Sequence, residues 1–192
     1  MGRSKQAKAY ETREIILNAV AACLATTDYD CIAVKDVITL ANVSRSTFYR
    51  YFFSVDEALS ELEDKYLDAM LSINRMALMT RYGGDLEQLT PTLIMRLEML
   101  QEDYPAVLAL LGPHGSPRFA QKEAEIMRSY LSEKARGIAL SSEEIDLYIT
   151  YCIEGHNGLI RSWLSSYPEL PAASVAQLLN RLLYSPLLEP GR

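Results

Sequence analysis

The segment 34–53 limits the possible folds most, because it predicts two short helices joined by a tight bend. Apolar residues recur there at three- and four-residue spacing, which gives the first helix an apolar stripe: Val34, Val37, Ile38 and Ala41. Asn42 then tolerates the left-handed backbone that ends a helix, and Val43 can turn inward between the two helices. Ser44 stands where the second helix needs an amino-terminal cap. A helix, a bend and a second helix are therefore predicted.

The second of these helices has an apolar side and a polar start. Phe48 and Phe52 can face a core together with Val43. The first turns expose a cation, two hydroxyls and a phenol: Arg45, Ser46, Thr47 and Tyr49. Such side chains contact phosphates and base edges when the start of a helix enters a DNA groove. The segment is therefore interpreted as a helix-turn-helix that reads DNA. The alternative is an ordinary helical hairpin in an all-helical bundle.

From Ile15 to Leu59 the sequence resembles the TetR family of bacterial transcriptional regulators. The family pattern has Ala-Gly-Val-Ser after a helix, then Thr-Phe-Tyr, an aromatic–Phe pair and an acidic segment ending in Leu. The matching residues here are Ala41–Ser44, Thr47–Tyr49, Tyr51–Phe52 and Val55–Leu59. Two positions differ, because Asn42 replaces the usual Gly and Val55 replaces a phosphate-contacting Lys. Asn is the next best residue for that backbone, whereas the missing Lys predicts weaker or less salt-sensitive DNA binding.

The resemblance also implies a role for each exposed residue of the second helix. Arg45, Ser46 and Thr47 would contact base edges or phosphates. Tyr49 and Tyr51 would contact the DNA backbone, and a lysine of the preceding helix would contact phosphate. The predicted DNA-binding residues are Lys35, Ser44, Arg45, Ser46, Thr47, Tyr49, Arg50 and Tyr51. Arg45 is the strongest candidate for bidentate recognition of guanine, whose two acceptors suit a guanidinium group.

The charge distribution favours DNA contact by the amino-terminal end, although the net charge of the chain is −6. Residues 1–53 hold seven cations and five anions, a charge of +2, which leaves −8 for residues 54–192. One end of the chain can therefore approach phosphates while the other repels them. We predict a DNA-binding domain at 1–53 and a domain for dimerisation and effector binding at 54–192.

The rest of the chain also has helical periodicity, and caps and breakers divide the whole into nine predicted helices without a convincing strand. The first three are predicted from about Glu11 to Thr26, across Val34–Ala41 and from Ser44. The others are predicted from the capping box Ser54–Glu57 to Thr80, from Pro91 to before Asp103, from Tyr104 to Gly112, from Arg118 to Arg136, from Ser141 to Ser165 or Ser166, and from Ala172 to about Tyr184. An all-α, nine-helix architecture is also what the resemblance implies.

The eighth predicted helix carries apolar residues on more than one face, so it must be covered on two sides. Gly155 and Gly158 lack side chains at positions where a neighbouring helix could approach closely. The core of one subunit could account for this pattern. The alternative, which the resemblance also implies, is a four-helix interface formed by helices eight and nine of a homodimer. The predicted interface residues are Ile149, Ile153, Gly155, Leu159, Ile160, Trp163, Leu178 and Leu182.

Methionine and tyrosine are frequent in the middle of the chain, where adaptable side chains suit a small-molecule pocket. The predicted effector-binding residues are Met70, Met95, Met99, Tyr104, Met127, Tyr130 and His156. Methionines at helical spacing are also typical core fillers. Arg96, His114 and Asn157 could supply further polar contacts to a ligand. In the family that the sequence resembles, a ligand changes the spacing of the two reading helices and releases DNA.

Catalytic and cofactor sites are not indicated by any motif. His114 and His156 lie in different elements without a second ligand at metal spacing, and the three cysteines fit no zinc or disulfide pattern. We therefore predict that the protein is not an enzyme and needs no cofactor or metal. Neither a signal peptide nor a membrane span is indicated, which predicts a cytoplasmic protein.

These observations predict a dimeric transcriptional repressor that binds an operator in double-stranded DNA and responds to a small molecule. An activator is one alternative. A second alternative is a helical adaptor that binds a protein partner through its acidic carboxy-terminal part without binding DNA.

Overall fold

The computed structural model describes residues 5–79, 86–134 and 140–184, and side chains within 7–75, 91–133 and 140–182. All regular structure in these ranges is helical, which confirms the predicted all-α architecture. The helices are α1 (Lys5–Leu24), α2 (Val34–Ala41), α3 (Arg45–Tyr51), α4 (Val55–Met79), α5 (Leu86–Glu102), α6 (Tyr104–Leu110), α7 (Pro117–Lys134), α8 (Ser142–Ser166) and α9 (Ala172–Leu179), the last continued by a π-helical turn (Asn180–Tyr184).

Side-chain caps fix the starts of α4 and α8 where they were predicted. Ser141 Oγ accepts from the N–H of Glu144 at 3.2 Å, and the Glu144 carboxylate accepts from the N–H of Ser141 at 2.8 Å. This reciprocal pair lowers the pKa of Glu144. At α4, Ser54 Oγ accepts from the N–H of Glu57 at 3.1 Å. The Glu57 carboxylate accepts from the N–H of Phe53, the residue before the cap.

Two helix starts differ from the predictions. α1 begins at Lys5 instead of Glu11, because its first turns are polar and carry no apolar periodicity from which a helix could be predicted. α5 begins at Leu86 and contains Pro91 inside the helix instead of at its start. A proline cannot donate to the carbonyl four residues earlier, but this helix accommodates that missing bond in its second turn. The predicted ends of α4 at Thr80 and α7 at Arg136 lie outside the described residues.

The chain forms two compact units. The first comprises Met1–Tyr66 and Pro105–Ala120, and thus contains α1–α3, the first part of α4 and the segment around α6. Its fully buried side chains include Ile16, Val20, Leu24, Val37, Phe48, Phe52, Leu59 and Leu62. The unit extends beyond the domain predicted at 1–53. That boundary refers to DNA binding and stays a prediction.

Ion pairs join the elements of the first unit. Arg13 of α1 holds Glu61 of α4 in a bidentate pair, and Lys65 pairs with Glu14 at 3.1 Å. The carboxylate of Glu63 is fully buried and accepts from Ser116 Oγ at 2.5 Å and from a neighbouring arginine. These contacts bind α4 to α1 and to the start of α7.

The second unit comprises Leu67–Tyr104 and Gln121–Arg192. Its buried apolar side chains include Met70, Leu97, Leu100, Met127, Leu131, Ile149, Cys152, Ile153, Ile160, Trp163, Val175 and Leu179. The connector before α9 is fixed by two side chains: Trp163 Nε1 donates to the carbonyl of Leu170 at 3.0 Å, and Gln101 Nε2 donates to that of Pro168 at 2.6 Å. None of the described helices is long and apolar enough to cross a membrane.

Candidate nucleic-acid interface

The bend between α2 and α3 has the predicted geometry. Asn42 has φ 50° and ψ 46°, and it is the one non-glycine residue with positive φ among the described residues. Its N–H and that of Val43 donate to the carbonyls of Thr39 and Ile38, at 3.4 and 3.1 Å. These bonds satisfy carbonyl groups at the end of α2 while the chain reverses.

Three hydroxyl groups meet at the start of α3. Ser44 caps the helix, because its Oγ accepts from the N–H of Thr47 at 3.1 Å. The same Oγ lies 2.9 Å from Ser46 Oγ and 2.8 Å from Thr47 Oγ1. Ser44 and Ser46 are exposed, and Thr47 is half-buried. The start of α3 therefore presents fixed hydroxyl donors and acceptors to solvent.

Aromatic packing orients α3. Phe48 and Phe52 are 0% and 1% exposed, and their ring centroids lie 6.0 Å apart. The guanidinium carbon of Arg13 lies 4.7 Å from the centroid of the Phe52 ring. The ring centroids of Tyr49 and Phe48 lie 5.5 Å apart in a T-shaped arrangement, and Tyr49 is still 47% exposed. Anchoring one side of this short helix turns its opposite side outward.

All of the predicted DNA-binding residues, on α2 and α3 and at the cap of α3, are exposed or half-buried. Lys35, Arg45 and Arg50 are exposed, and Tyr51 is half-buried. Within the part of the chain that the structure describes, no carboxylate forms an ion pair with any of these three cations. Their charges are therefore available to a bound anion such as a phosphate.

The burial of Val55 and the exposure of Phe53 were not predicted from the sequence. Val55, at the position where the resemblance implies a phosphate-contacting Lys, is only 8% exposed and packs into its own unit. Phe53 is 87% exposed. The backbone of Phe52 is extended, with φ −142° and ψ 136°, so consecutive side chains point to opposite sides. Because Phe52 points into the core, Phe53 points to solvent, a pattern readable from two adjacent aromatics after a short helix.

The predicted dimer-interface residues fall into two groups. Ile149, Ile153, Ile160 and Trp163 are at most 4% exposed, because they fill the core of their own subunit. The other predicted interface residues are more accessible: Gly155, Leu159 and Leu178 are half-buried, and Leu182 is exposed. The outward face of α8 instead carries Leu147, Tyr151, Glu154 and Gly158.

The predicted effector-binding residues are also divided. Met70, Met127 and His156 are buried, Met99 and Tyr130 are half-buried, and Met95 and Tyr104 are exposed. Burial, and secondarily the nearby charge of Arg96, lowers the pKa of His156 well below its ordinary value. Arg96 Nη1 also donates to the sulfur of Met127 at 3.0 Å. Two of the predicted residues thus converge on one buried arginine.

Arg96, Met127 and His156 form a buried cluster, to which the carboxylate of Glu123 also belongs. Glu123 is 3% exposed and accepts from Asn157 Nδ2 at 2.8 Å. Burial raises the pKa of Glu123, while the bond from Asn157 and the charge of Arg96 oppose that shift. In the described ranges no group of three or more His, Cys, Asp and Glu side chains could hold a metal ion. His114 lies elsewhere, in the first unit, where its Nδ1 is 2.6 Å from Asp28 Oδ1.

Residues 87–185 match a TetR family model described as the transcriptional regulator C-terminal region. Several solved structures share the fold. A TetR transcriptional regulator from Streptococcus agalactiae is 20% identical, with 93% of this chain and 97% of that chain covered and a TM-score of 0.62. The dihydroxyacetone kinase operon activator DhaS is 18% identical, with 92% and 96% covered and a TM-score of 0.54. A Thermus thermophilus repressor, FadR, in complex with lauroyl-CoA is 17% identical, with 94% and 97% covered and a TM-score of 0.57. No curated protein sequence matches the chain.

Proposed function

Because this chain belongs to the TetR family of transcriptional regulators, we propose that it binds an operator in double-stranded DNA and that α3 reads the operator sequence. The observation that carries the proposal is the exposed start of α3, where a cation adjoins a fixed hydroxyl cluster and has no ion pair with any residue that the structure describes. In a helix-turn-helix, the start of the second helix contacts base edges while the flanking residues contact phosphates.

Each exposed residue has a proposed role. Arg45 recognises guanine through two hydrogen bonds, because its guanidinium fork matches the two acceptors of that base in the major groove. Ser46 and Thr47 contact base edges or phosphates with their hydroxyls. Tyr49, Arg50 and Lys35 contact the DNA backbone. Val55 is buried and contributes no phosphate contact, so affinity depends on fewer cations and decreases less with salt.

We propose that the protein acts as a two-fold homodimer through the outward faces of α8 and α9. Leu147 and Tyr151 on α8 are 72% and 58% exposed, and Leu182 after α9 is 53% exposed. A Cβ atom added to Gly158 would meet no described atom within 4 Å, so the described part of the chain gives no packing reason for glycine there. A glycine inside a helix costs stability, and close approach of a partner helix would compensate for that cost.

Repression is the proposed sign of regulation, because a dimer seated on an operator excludes polymerase from the same DNA. The structural neighbours include both a named repressor and a named activator, so the likeness of fold does not itself decide the sign. A small-molecule effector in the second unit would release DNA only if it binds the DNA-free state more tightly than the DNA-bound state. The site of action would be the cytoplasm, where the operator lies.

A gel-shift experiment tests the proposal. The full chain is titrated into duplex DNA from the region beside its own gene at two salt concentrations, with a scrambled duplex of equal length as the control. Specific binding would give a shift of the native duplex at protein concentrations well below those that shift the control. Equal affinity for both duplexes, or no shift at either salt concentration, would refute the proposal and favour the adaptor alternative.

A further inference from the structure

Arg96, in the second unit, is a buried cation with too few acceptors. Arg96 lies on α5 and is 5% exposed. Nη1 donates to the thioether of Met127, which is a weak acceptor. Nη2 lies 3.9 Å from Glu123 Oε1, beyond hydrogen-bonding distance. The buried Nε has no hydrogen-bond partner among the described residues. Such a donor is costly to leave without an acceptor, so the unpartnered Nε requires an explanation.

Two other arginines of the same chain show how the Nε and Nη2 atoms of an arginine bind carboxylates in this protein. Nε and Nη2 together form the edge of a guanidinium that holds a carboxylate in a fork. Arg13 places both atoms on Glu61. Arg118 places Nε 2.9 Å from Glu63, and its Nη2 lies 3.6 Å from another carboxylate. The side chains of Arg13 and Arg118 are 38% and 40% exposed, against 6% for Arg96. Of these three arginines, Arg96 is the most buried, yet its Nε and Nη2 have the fewest contacts with carboxylates.

Glu123 does not fill that edge, although it is buried beside it. Its other oxygen, Oε2, is held by Asn157 Nδ2 at 2.8 Å, on the neighbouring helix α8. The carboxylate therefore has a hydrogen-bond partner of its own and stands at a distance from Arg96. A purely structural ion pair buried this deeply would normally need close hydrogen bonds to offset the loss of hydration. The pair of Arg96 and Glu123 has no such hydrogen bond at Nε of Arg96.

The helices that carry the cluster, α5, α7 and α8, also bury apolar side chains in the core of the second unit, among them Leu97, Leu100, Leu131, Ile153 and Ile160. A molecule that reached Arg96 would need an apolar body to replace contacts in such a core. Its charged end would need two oxygens in one plane to match the Nε and Nη2 edge.

We propose that Arg96 is the recognition residue for an organic carboxylate with an apolar body, and that the effector of this regulator has that chemistry. The carboxylate would accept from Nε and Nη2 of Arg96, and Glu123 would remain bonded to Asn157. Binding of the carboxylate stands on the geometry alone, whereas its description as an effector rests on the proposed function. A phosphate monoester fits less well, because one guanidinium edge balances a single negative charge.

Ligand binding to the DNA-free full chain tests the inference. Hexanoate, octanoate and decanoate are titrated by calorimetry, each against its uncharged primary amide, and octyl phosphate serves as a second anionic probe. The carboxylates should bind at least tenfold more tightly than the matching amides and raise the melting temperature. Octyl phosphate should bind more weakly than octanoate. Carboxylates that bind no better than their amides, or no binding in the series, would overturn the proposal, and preferred binding of octyl phosphate would overturn the choice of carboxylate.

Three variants separate recognition from a structural role. Arg96→Met should reduce carboxylate binding to the level of the amide. Glu123→Gln should strengthen it several-fold, because a competing negative charge is removed while the bond from Asn157 is kept. The double variant R96M/E123Q removes both buried charges at similar volume, so it keeps the test valid even where R96M alone fails to fold. Carboxylate preference retained in R96M or in the double variant would refute the role of Arg96.

Operator binding is measured separately on the same proteins. Carboxylate binding without any effect on DNA affinity would overturn the description of the ligand as an effector. A wild-type protein that binds its operator normally but shows no preference for carboxylates would overturn only the ligand inference. Absence of operator binding with normal carboxylate recognition would instead refute the proposed function.

Discussion

Arg13 and Arg45 are the same residue type in one small unit, but their surroundings differ completely. Arg13 lies between the carboxylate of Glu61 and the ring of Phe52, where it joins α1 to α4 and to the turn after α3. Arg45 is exposed at the start of α3 and has no ion pair in the described part of the chain. A cation without an ion pair among the described residues is available to an external anion or base.

Replacing Arg45 by alanine should relax operator specificity and cost about 1–3 kcal/mol of DNA-binding free energy, because a bidentate contact to a base is lost. Fluorescence anisotropy with operator and scrambled duplexes measures both effects. Arg75→Ala, an exposed arginine of the second unit, is the matched control and should change neither. An Arg45→Ala protein with unchanged discrimination between the two duplexes would contradict the assigned role.

His156 should make the folded protein less stable as the pH falls below about 6.5. Its pKa is well below the ordinary 6.5 in the folded chain, so below pH 6.5 the unfolded chain binds a proton that the folded chain does not. Glu123 acts in the opposite direction, because its raised pKa makes stability decrease as the pH rises above about 4.5. The two effects overlap in the wild-type protein, so a His156 variant is needed to separate them.

The variant His156→Gln isolates the histidine contribution. Urea unfolding of both proteins between pH 5 and pH 7.5 gives the free energy of unfolding at each pH. The wild-type protein should gain more stability than the variant as the pH rises through this range, irrespective of their absolute stabilities. Parallel pH profiles would show that His156 does not remain neutral in the fold.

Helix starts that depend on a local side-chain signal could be predicted from the sequence. Ser44 and Ser141 accept from the N–H three residues later, so their patterns contain the cause of the helix start. The starts of α1 and α5 could not be predicted, because neither has such a signal. In α5, Pro91 is of a type common at helix starts but lies inside the helix. Which apolar residues of α8 face inward also could not be predicted, since both faces carry them.

The bend at Asn42 gives a stability test at the scale of elements. Asn42→Gly should leave the free energy of unfolding unchanged or raise it slightly, because glycine adopts φ 50° without steric cost. Asn42→Ala should lower it by about 1 kcal/mol, because alanine is strained in left-handed backbone. Urea unfolding compares the two variants directly. Equal stability of both would argue against strain at this position.

Gly158 tests the outward face of α8. Alanine there should stabilise an isolated helix by about 0.5–1 kcal/mol, and the chain has open space for the new methyl group. If a partner helix approaches this face, Gly158→Leu should weaken dimerisation at least tenfold without loss of helix content. Sedimentation equilibrium measures the dimer dissociation constant, with Ala22→Leu on the exposed side of α1 as control. Unchanged dimerisation of the Gly158 variants would place the interface elsewhere.

At the scale of the whole molecule, the exposure of the candidate DNA-binding residues could be predicted more completely than that of the candidate interface and effector residues. The DNA-binding residues lie within one short segment, so local caps and spacing determine their exposure, and all eight are exposed or half-buried. The interface and effector residues come from separate helices, and their burial depends on packing that no local pattern encodes. For the same reason, the burial of Ile149 and Trp163 in the core of their own unit could not be predicted from the sequence of α8.

Selection of bound sequences from random DNA, with the subunit stoichiometry of the selected complex measured by sedimentation, tests the central claim most directly. A homodimer whose two α3 helices read DNA should enrich an inverted repeat, with half-sites centred about 10 base pairs or a multiple apart and two chains on each site. No enriched sequence, or an asymmetric site occupied by a single chain, would contradict it.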